Sequence, residues 1–133
     1  MKTDFICPRC RGYLNVGDKV TFIIRSKGWA GGILMLSPVL GDYSYLSHPS
    51  HSFEPGQQYE FFCPICHHDL SLEGSGNMAK MLMKEDDRDE FFIVFSKKAG
   101  ERCTYKLSES KIETTYGEHR DVHIDLLNAT FLK

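Results

Sequence analysis

The chain contains no run of 18 or more apolar residues, which leaves no candidate for a membrane-spanning helix. Its longest apolar stretch, Ile33 to Leu36 resuming at Val39 and Leu40, is broken by Ser37-Pro38. The N-terminus lacks the basic-then-apolar layout of a secretory signal. Excess charge of one sign is also missing, since 16 Lys and Arg face 18 Asp and Glu. A net charge of -2 gives no general pull toward nucleic acid or anionic membrane. Catalytic motifs are absent in turn. Gly28-Trp29-Ala30-Gly31-Gly32 has neither the Lys-Ser/Thr that completes a P-loop nor the GxGxxG order. No HExxH, no GxSxG and no HxE paired with PCxxC occurs. The expectation is a non-enzymatic chain with no evident small-molecule substrate.

What the chain does have is one phrase written twice. Phe5-Ile6-Cys7-Pro8-Arg9-Cys10-Arg11-Gly12-Tyr13-Leu14 returns as Phe61-Phe62-Cys63-Pro64-Ile65-Cys66-His67-His68-Asp69-Leu70. Two cysteines three positions apart turn both sulfurs toward one point, and two such pairs supply four thiolates for a tetrahedral site. Cys7, Cys10, Cys63 and Cys66 are the candidate ligands, for one zinc per chain. A Cys₄ set leaves no open coordination position, so the metal is expected to be structural. Iron is the alternative, because both metals accept four tetrahedral sulfurs. A redox dithiol fits less well. Such a motif opens a helix whose N-terminus depresses the thiol pKa, and neither pair is followed by a helical pattern. Five cysteines, an odd number with paired spacing, favour a reducing compartment over a disulfide framework, and the chain reads as cytoplasmic.

The paired phrases resemble the zinc-ribbon and rubredoxin-like superfamily, whose members join two CPxC knuckles at the tips of β-hairpins. The resemblance implies, by analogy, that the four cysteines are the ligands. It covers the two phrases alone, and zinc ribbons usually separate their knuckles by less. An inserted set of strands is therefore expected between Cys10 and Cys63. Closing a longer loop costs only about 0.6 kcal/mol per doubling of length, whereas structural zinc contributes about 10–16 kcal/mol at neutral pH. Within each knuckle, Pro fixes one backbone angle and a Gly or small polar residue after the second Cys permits the turn. Cys10-Arg11-Gly12 fits this and Cys66-His67-His68 fits it less well. Leu14 and Leu70 are expected to pack against the opposite knuckle.

Composition is that of a globular protein, 41% hydrophobic and 26% charged, in a chain short enough for one domain or two small ones sharing a core. Strand signals dominate. Lys19–Arg25, Gly31–Leu36, Asp42–Leu46, Gln58–Phe62 and Arg102–Leu107 are β-branched or aromatic runs bounded by turn residues. Ala79–Lys84 and Glu90–Ser96 form a hairpin around a charged turn, and Phe91–Phe95 is apolar on both faces, as in a doubly covered strand. Residues 108–115 are compatible with a short helix or another strand. The fold class expected is mainly β, a zinc-ribbon-like knuckle pair joined to antiparallel hairpins with little helix. The best boundary is Glu73–Asn77, dividing a metal-binding region, 1–75, from a β-hairpin and meander region, 76–133, packed on it or continuous with it.

Six histidines and a fifth cysteine remain. His67 and His68 touch the second knuckle and read as exposed turn residues, with thiolate contact as the alternative. His48 and His51 read as an ordinary polar loop. His119 and His123 would share one face of a helix, but no helical pattern supports one. Cys103, in a strand-like alternation, reads as core. The leading functional expectation is a protein-interaction or regulatory module whose partner is another protein or a second copy, with Trp29, Tyr43 and Tyr45 as contacts. The alternative is nucleic-acid binding through Arg9, Arg11, Lys19, Arg25 and Lys27, which help give residues 1–30 six basic against two acidic side chains. The third reading is electron transfer at a rubredoxin-like iron.

Overall fold

The computed structural model describes residues 3–26, 29–47, 54–73, 76–86, 89–108 and 111–121. Among them are ten strands and no helix: β1 (Thr3–Ile6), β2 (Asn15–Val16), β3 (Lys19–Ser26), β4 (Trp29–Leu36), β5 (Tyr45–Ser47), β6 (Glu60–Phe62), β7 (Met78–Glu85), β8 (Asp89–Ser96), β9 (Thr104–Leu107) and β10 (Ile112–Tyr116). The mainly β, antiparallel class expected from the sequence is what folds. No helix among the described residues is long and apolar enough to cross a membrane. One sheet runs β1-β7-β8-β9-β10; the other runs β2-β3-β4-β5, with β6 also paired to β3. β1 carried no strand expectation, and in the segment at 108–115 the residues from Ile112 on form a strand, β10, that continues the ladder on β9.

The pairing registers reveal a repeat far longer than the ten-residue phrase. In the β3–β4 hairpin Phe22 faces Leu34, and in β7–β8 Met81 faces Ile93, each residue 59 positions on as 81 is to 22. The third strand keeps the same step: Leu36 faces Tyr45, and Phe95 faces Thr104. Each repeat is thus a strand, a knuckle and a three-stranded meander. The leading strands are exchanged. β1, from the first repeat, pairs with β7 of the second through Phe5 and Met83, while β6, from the second, pairs with β3 of the first through Phe61 and Ile24. Reciprocal contact of this kind, i to j and j to i, defines a twofold interface, here within one chain. Even the cross-strand charges correspond, with Asp4 opposite Lys84 and Glu60 opposite Arg25.

Alternation along the strands decides what is buried. Val20, Phe22 and Ile24 on β3 point inward with Leu34, Phe61, Met81, Ile93 and Phe95, so a single core runs across residue 75. Phe22, Phe61 and Phe95 form its centre, with Phe61 edge-on to the other two at centroid distances of 5.5 and 5.2 Å. A second cluster, Leu72, Met78, Val94, Cys103, Tyr105 and Leu107, covers the other face of the β7–β9 ladder. β8 is therefore doubly covered, as its apolar run implies: Ile93 and Phe95 serve one core, Val94 the other. One buried cation sits between strands, Lys97, whose ammonium lies 2.7 Å from Glu60 and 2.8 Å from Ser71 Oγ.

Candidate metal centre

Each knuckle begins where an exchanged strand ends. β1 delivers Cys7 and β6 delivers Cys63, and both chains then turn tightly with matching hydrogen bonds. The Cys7 N–H donates to the Gly12 carbonyl and the Cys63 N–H to the His68 carbonyl, each at 3.0 Å; Arg11 and His67 donate back to the carbonyls of Cys7 and Cys63. Arg11 and His67 are the residues that take the left-handed conformation, at φ 60° and 63°. This corrects the expected role of Gly12, whose φ is not positive. A Cβ there would lie 2.4 Å from Ile65 Cδ1 of the opposite knuckle, the movable end of an exposed side chain, so an added methyl would displace that end rather than break the turn. The second knuckle makes the same turn with His68 in place of glycine; the residue matching Ile65 in the first knuckle is Arg9, whose guanidinium donates to His68 Nδ1 at 3.3 Å.

The turns aim backbone amides at sulfur. Cys7 Sγ accepts from Arg9 and Cys10, Cys63 Sγ from Ile65 and Cys66, at 3.3–3.5 Å. Cys10 Sγ accepts from Gly12 at 3.3 Å, and Cys66 Sγ from the matching His68 amide. Nests of successive N–H groups stabilise anions, including metal-bound thiolates. All four sulfurs lie within 4.8 Å of one another. Cys7 to Cys66 and Cys10 to Cys63 both measure 3.8 Å. Zn–S bonds of about 2.3 Å at tetrahedral angles require sulfur–sulfur edges of about 3.8 Å. The donor set therefore fits a metal ion placed on the pseudo-twofold axis.

Burial opposes charge on two of the four sulfurs. Burial raises the Cys7 thiol above its ordinary pKa and pushes Cys63 up to about 12. Cys66, exposed, is lowered chiefly by the His68 amide. Two deep thiols that resist ionisation become ligands when a dication offsets the charge they develop, with release of their protons.

The remaining sequence candidates fall elsewhere. His67 is an exposed turn residue and His68 contacts Arg9, while the sulfur cluster contains no histidine. His119 Nδ1 accepts from the Arg102 amide, and the segment around it is a turn. His48, His51 and His123 lie outside the described residues. Of the basic set, Arg9 and Arg11 stand on the first knuckle, where Arg11 pairs with Glu90 at 2.6 Å. Lys19 lies 3.8 Å from Asp18, and the Arg25 guanidinium sits 4.9 Å from the centre of the Phe62 ring; Lys27 is outside the described residues. Leu14 and Leu70 are both buried in the main core.

Cys103 belongs to the second core and is fully buried. Burial, then the neighbouring Glu101 charge, raises its pKa from 9.0 to about 11. Between those values the unfolded chain releases this proton while the native chain keeps it. Stability from this residue is present below pH 9 and falls through pH 11, by about 2–3 kcal/mol at full effect. Thermal melts of Cys103→Ser should show a flatter loss of stability over that window than the parent. An unchanged slope would place the alkaline transition elsewhere.

No protein-family model, no curated protein and no solved structure matches the chain.

Proposed function

We propose that this chain is a zinc-stabilised protein-interaction module of zinc-ribbon-like type. One zinc, held by Cys7, Cys10, Cys63 and Cys66, locks the two repeats together. The closed four-sulfur set suits a structural rather than a catalytic metal. The partner surface is the outward face of the β2–β5 sheet, and a difference between the repeats carries this reading. On the first sheet, Phe92, Val94 and Tyr105 face a covered cluster, and β10 extends the ladder beyond β9. Their counterparts on the second sheet are Ile33, Met35 and Leu46. There Ile33 is 45% and Leu46 56% exposed, and among the described residues no strand lies beyond β5. An open edge beside apolar side chains accepts an extended segment, with backbone bonds supplying affinity and alternate side chains supplying specificity.

The expected occupant is a β-strand of a protein partner with apolar residues at every second position. Selection of peptides from a random library on the metal-loaded chain should return that alternation. Leu46→Lys and Ile33→Asp should each weaken the selected peptides by about tenfold or more, roughly 1.4 kcal/mol. Peptides without alternation, or binding indifferent to both changes, would sink the reading. Elemental analysis of protein purified without added metal should find one zinc per chain and no visible absorption. Iron with thiolate charge-transfer bands would move the site to redox chemistry.

A further inference from the structure

A cavity of about 220 Å³ lies between the two sheets. Phe5 and Phe61, counterparts in the two repeats, line it together with Met81, Ile93 and Phe95. Apart from Pro55, its exposed lining residues come from two segments, 37–45 and 96–104. These segments are also counterparts, 59 positions apart like the hairpins before them. Ser37, Gly41 and Asp42 correspond to Ser96, Gly100 and Glu101. Both glycines take positive φ, 93° and 85°. Each serine oxygen accepts the amide two residues on, from Val39 at 3.1 Å and from Lys98 at 3.0 Å. Each serine also bonds the acid of its own loop, Ser96 to Glu101 at 2.8 Å and Ser37 to Asp42. Between the loops, the Tyr43 hydroxyl lies 2.9 Å from Thr104 Oγ1. The mouth is a built feature, braced within each lip and tied across.

The lining states what it would accept. Its floor is aromatic and aliphatic. In the buried lining, Phe5, Val20, Phe61, Met81, Ile93 and Ala99 are apolar, so a polar group placed against them would lose its water without replacement. At the mouth Asp42 and Glu101 balance Lys98 and Arg102, so no ionic head of either sign is favoured. An apolar protein cavity of about 150 Å³ admits benzene, and this one is larger. We propose that the cavity is a binding site for a neutral, apolar small molecule the size of one or two fused aromatic rings. The site stands apart from the partner face, which lies on the other side of the second sheet.

Naphthalene is the probe, titrated into the metal-loaded full chain while backbone amide shifts are followed by NMR. Saturable one-to-one shifts concentrated in 37–45 and 96–104 are expected, with 2-naphthoate weaker by about tenfold or more. Ala99→Leu, which fills the cavity, and Val39→Trp, which crowds the mouth from an exposed position, should each weaken naphthalene by a similar factor. Metal content should stay at the parent value in Val39→Trp. That variant decides alone if Ala99→Leu does not fold. Absence of saturable shifts, shifts confined to the Ile33 and Leu46 face, 2-naphthoate binding as tightly as naphthalene, or unchanged affinity in Val39→Trp would each overturn the proposal.

Discussion

With zinc held by the four cysteines as proposed, Cys7→Ser or Cys63→Ser will lose the metal and be largely unfolded at room temperature. Structural zinc contributes about 10–16 kcal/mol at neutral pH. A domain's whole stability is about 5–15 kcal/mol, so losing the site removes a quantity as large as the total. The fold gives a specific reason for this dependence. The knuckles are the junctions at which the exchanged strands leave one repeat's sheet for the other's, since β1 ends at Ile6, just before Cys7, and β6 at Phe62, just before Cys63. Without the ion, two deep thiols whose ionisation burial opposes face each other on the axis with nothing to join them. The pseudo-twofold relation adds a sharper expectation, that Cys7→Ser and Cys63→Ser behave alike, as do Cys10→Ser and Cys66→Ser. Elemental analysis and thermal melts measure both quantities. Cys103→Ser, in the second core, should retain full metal content. Equal metal loss in Cys103→Ser and Cys7→Ser would show the ligand assignment to be wrong.

The four-cysteine cluster was legible in the sequence because a metal site tolerates little substitution. Four thiolates at fixed spacing, with proline after the first of each pair, leave a readable mark. The rest of the repeat left almost none. Val20, Phe22 and Ile24 correspond to Ala79, Met81 and Met83, and what the two sets share is an inward-facing apolar side chain rather than identity. Cores accept apolar replacements when volume and pattern are kept, so residue identity drifts while register persists. A three-residue difference in spacing conceals the rest: Phe5 recurs 56 positions on, whereas the hairpins recur at 59. The surviving signal was Ser37, Gly41 and Asp42 against Ser96, Gly100 and Glu101, where a positive φ and a serine–acid bond constrain the choice.

The glycine assignment in the knuckle shows the limit from the other side. A glycine after the second cysteine suggests a left-handed turn, yet the left-handed residues are Arg11 and His67. A sequence records that a side chain is absent without saying what its absence serves. In the folded pair, position 12 faces Ile65 of the second knuckle. Only the folded pair of knuckles contains that contact. Likewise no sequence pattern distinguishes Ile33 and Leu46, which are exposed, from Phe92 and Tyr105, which are not. Ile33 and Phe92 both sit in runs that are apolar on both faces; what differs is the cover supplied by residues remote in the chain.

Phe61→Ala is expected to cost about 3–5 kcal/mol, the range for removing a large aromatic side chain from a core. For a chain of this length that lowers the thermal midpoint by about 10–20 °C. The upper part of the range is favoured by position. Phe61 is 1% exposed and holds edge contacts to both Phe22 and Phe95, so truncation loses two aromatic pairs as well as buried area. It also borders the existing cavity, so the new void adds to space already open and the surroundings have less to collapse against. Phe61→Leu keeps most of the volume and should cost far less. Calorimetry with zinc held in excess measures the difference while keeping the metal's contribution fixed. Metal content should remain at one ion per chain, because the change touches packing between the sheets and leaves the sulfurs in place. A midpoint shift of only a degree or two would mean that the two repeats are joined by the knuckles alone, with the sheets in little more than loose contact. Metal loss in step with the melting change would instead show that the core around Phe61 is what holds the two knuckles in register.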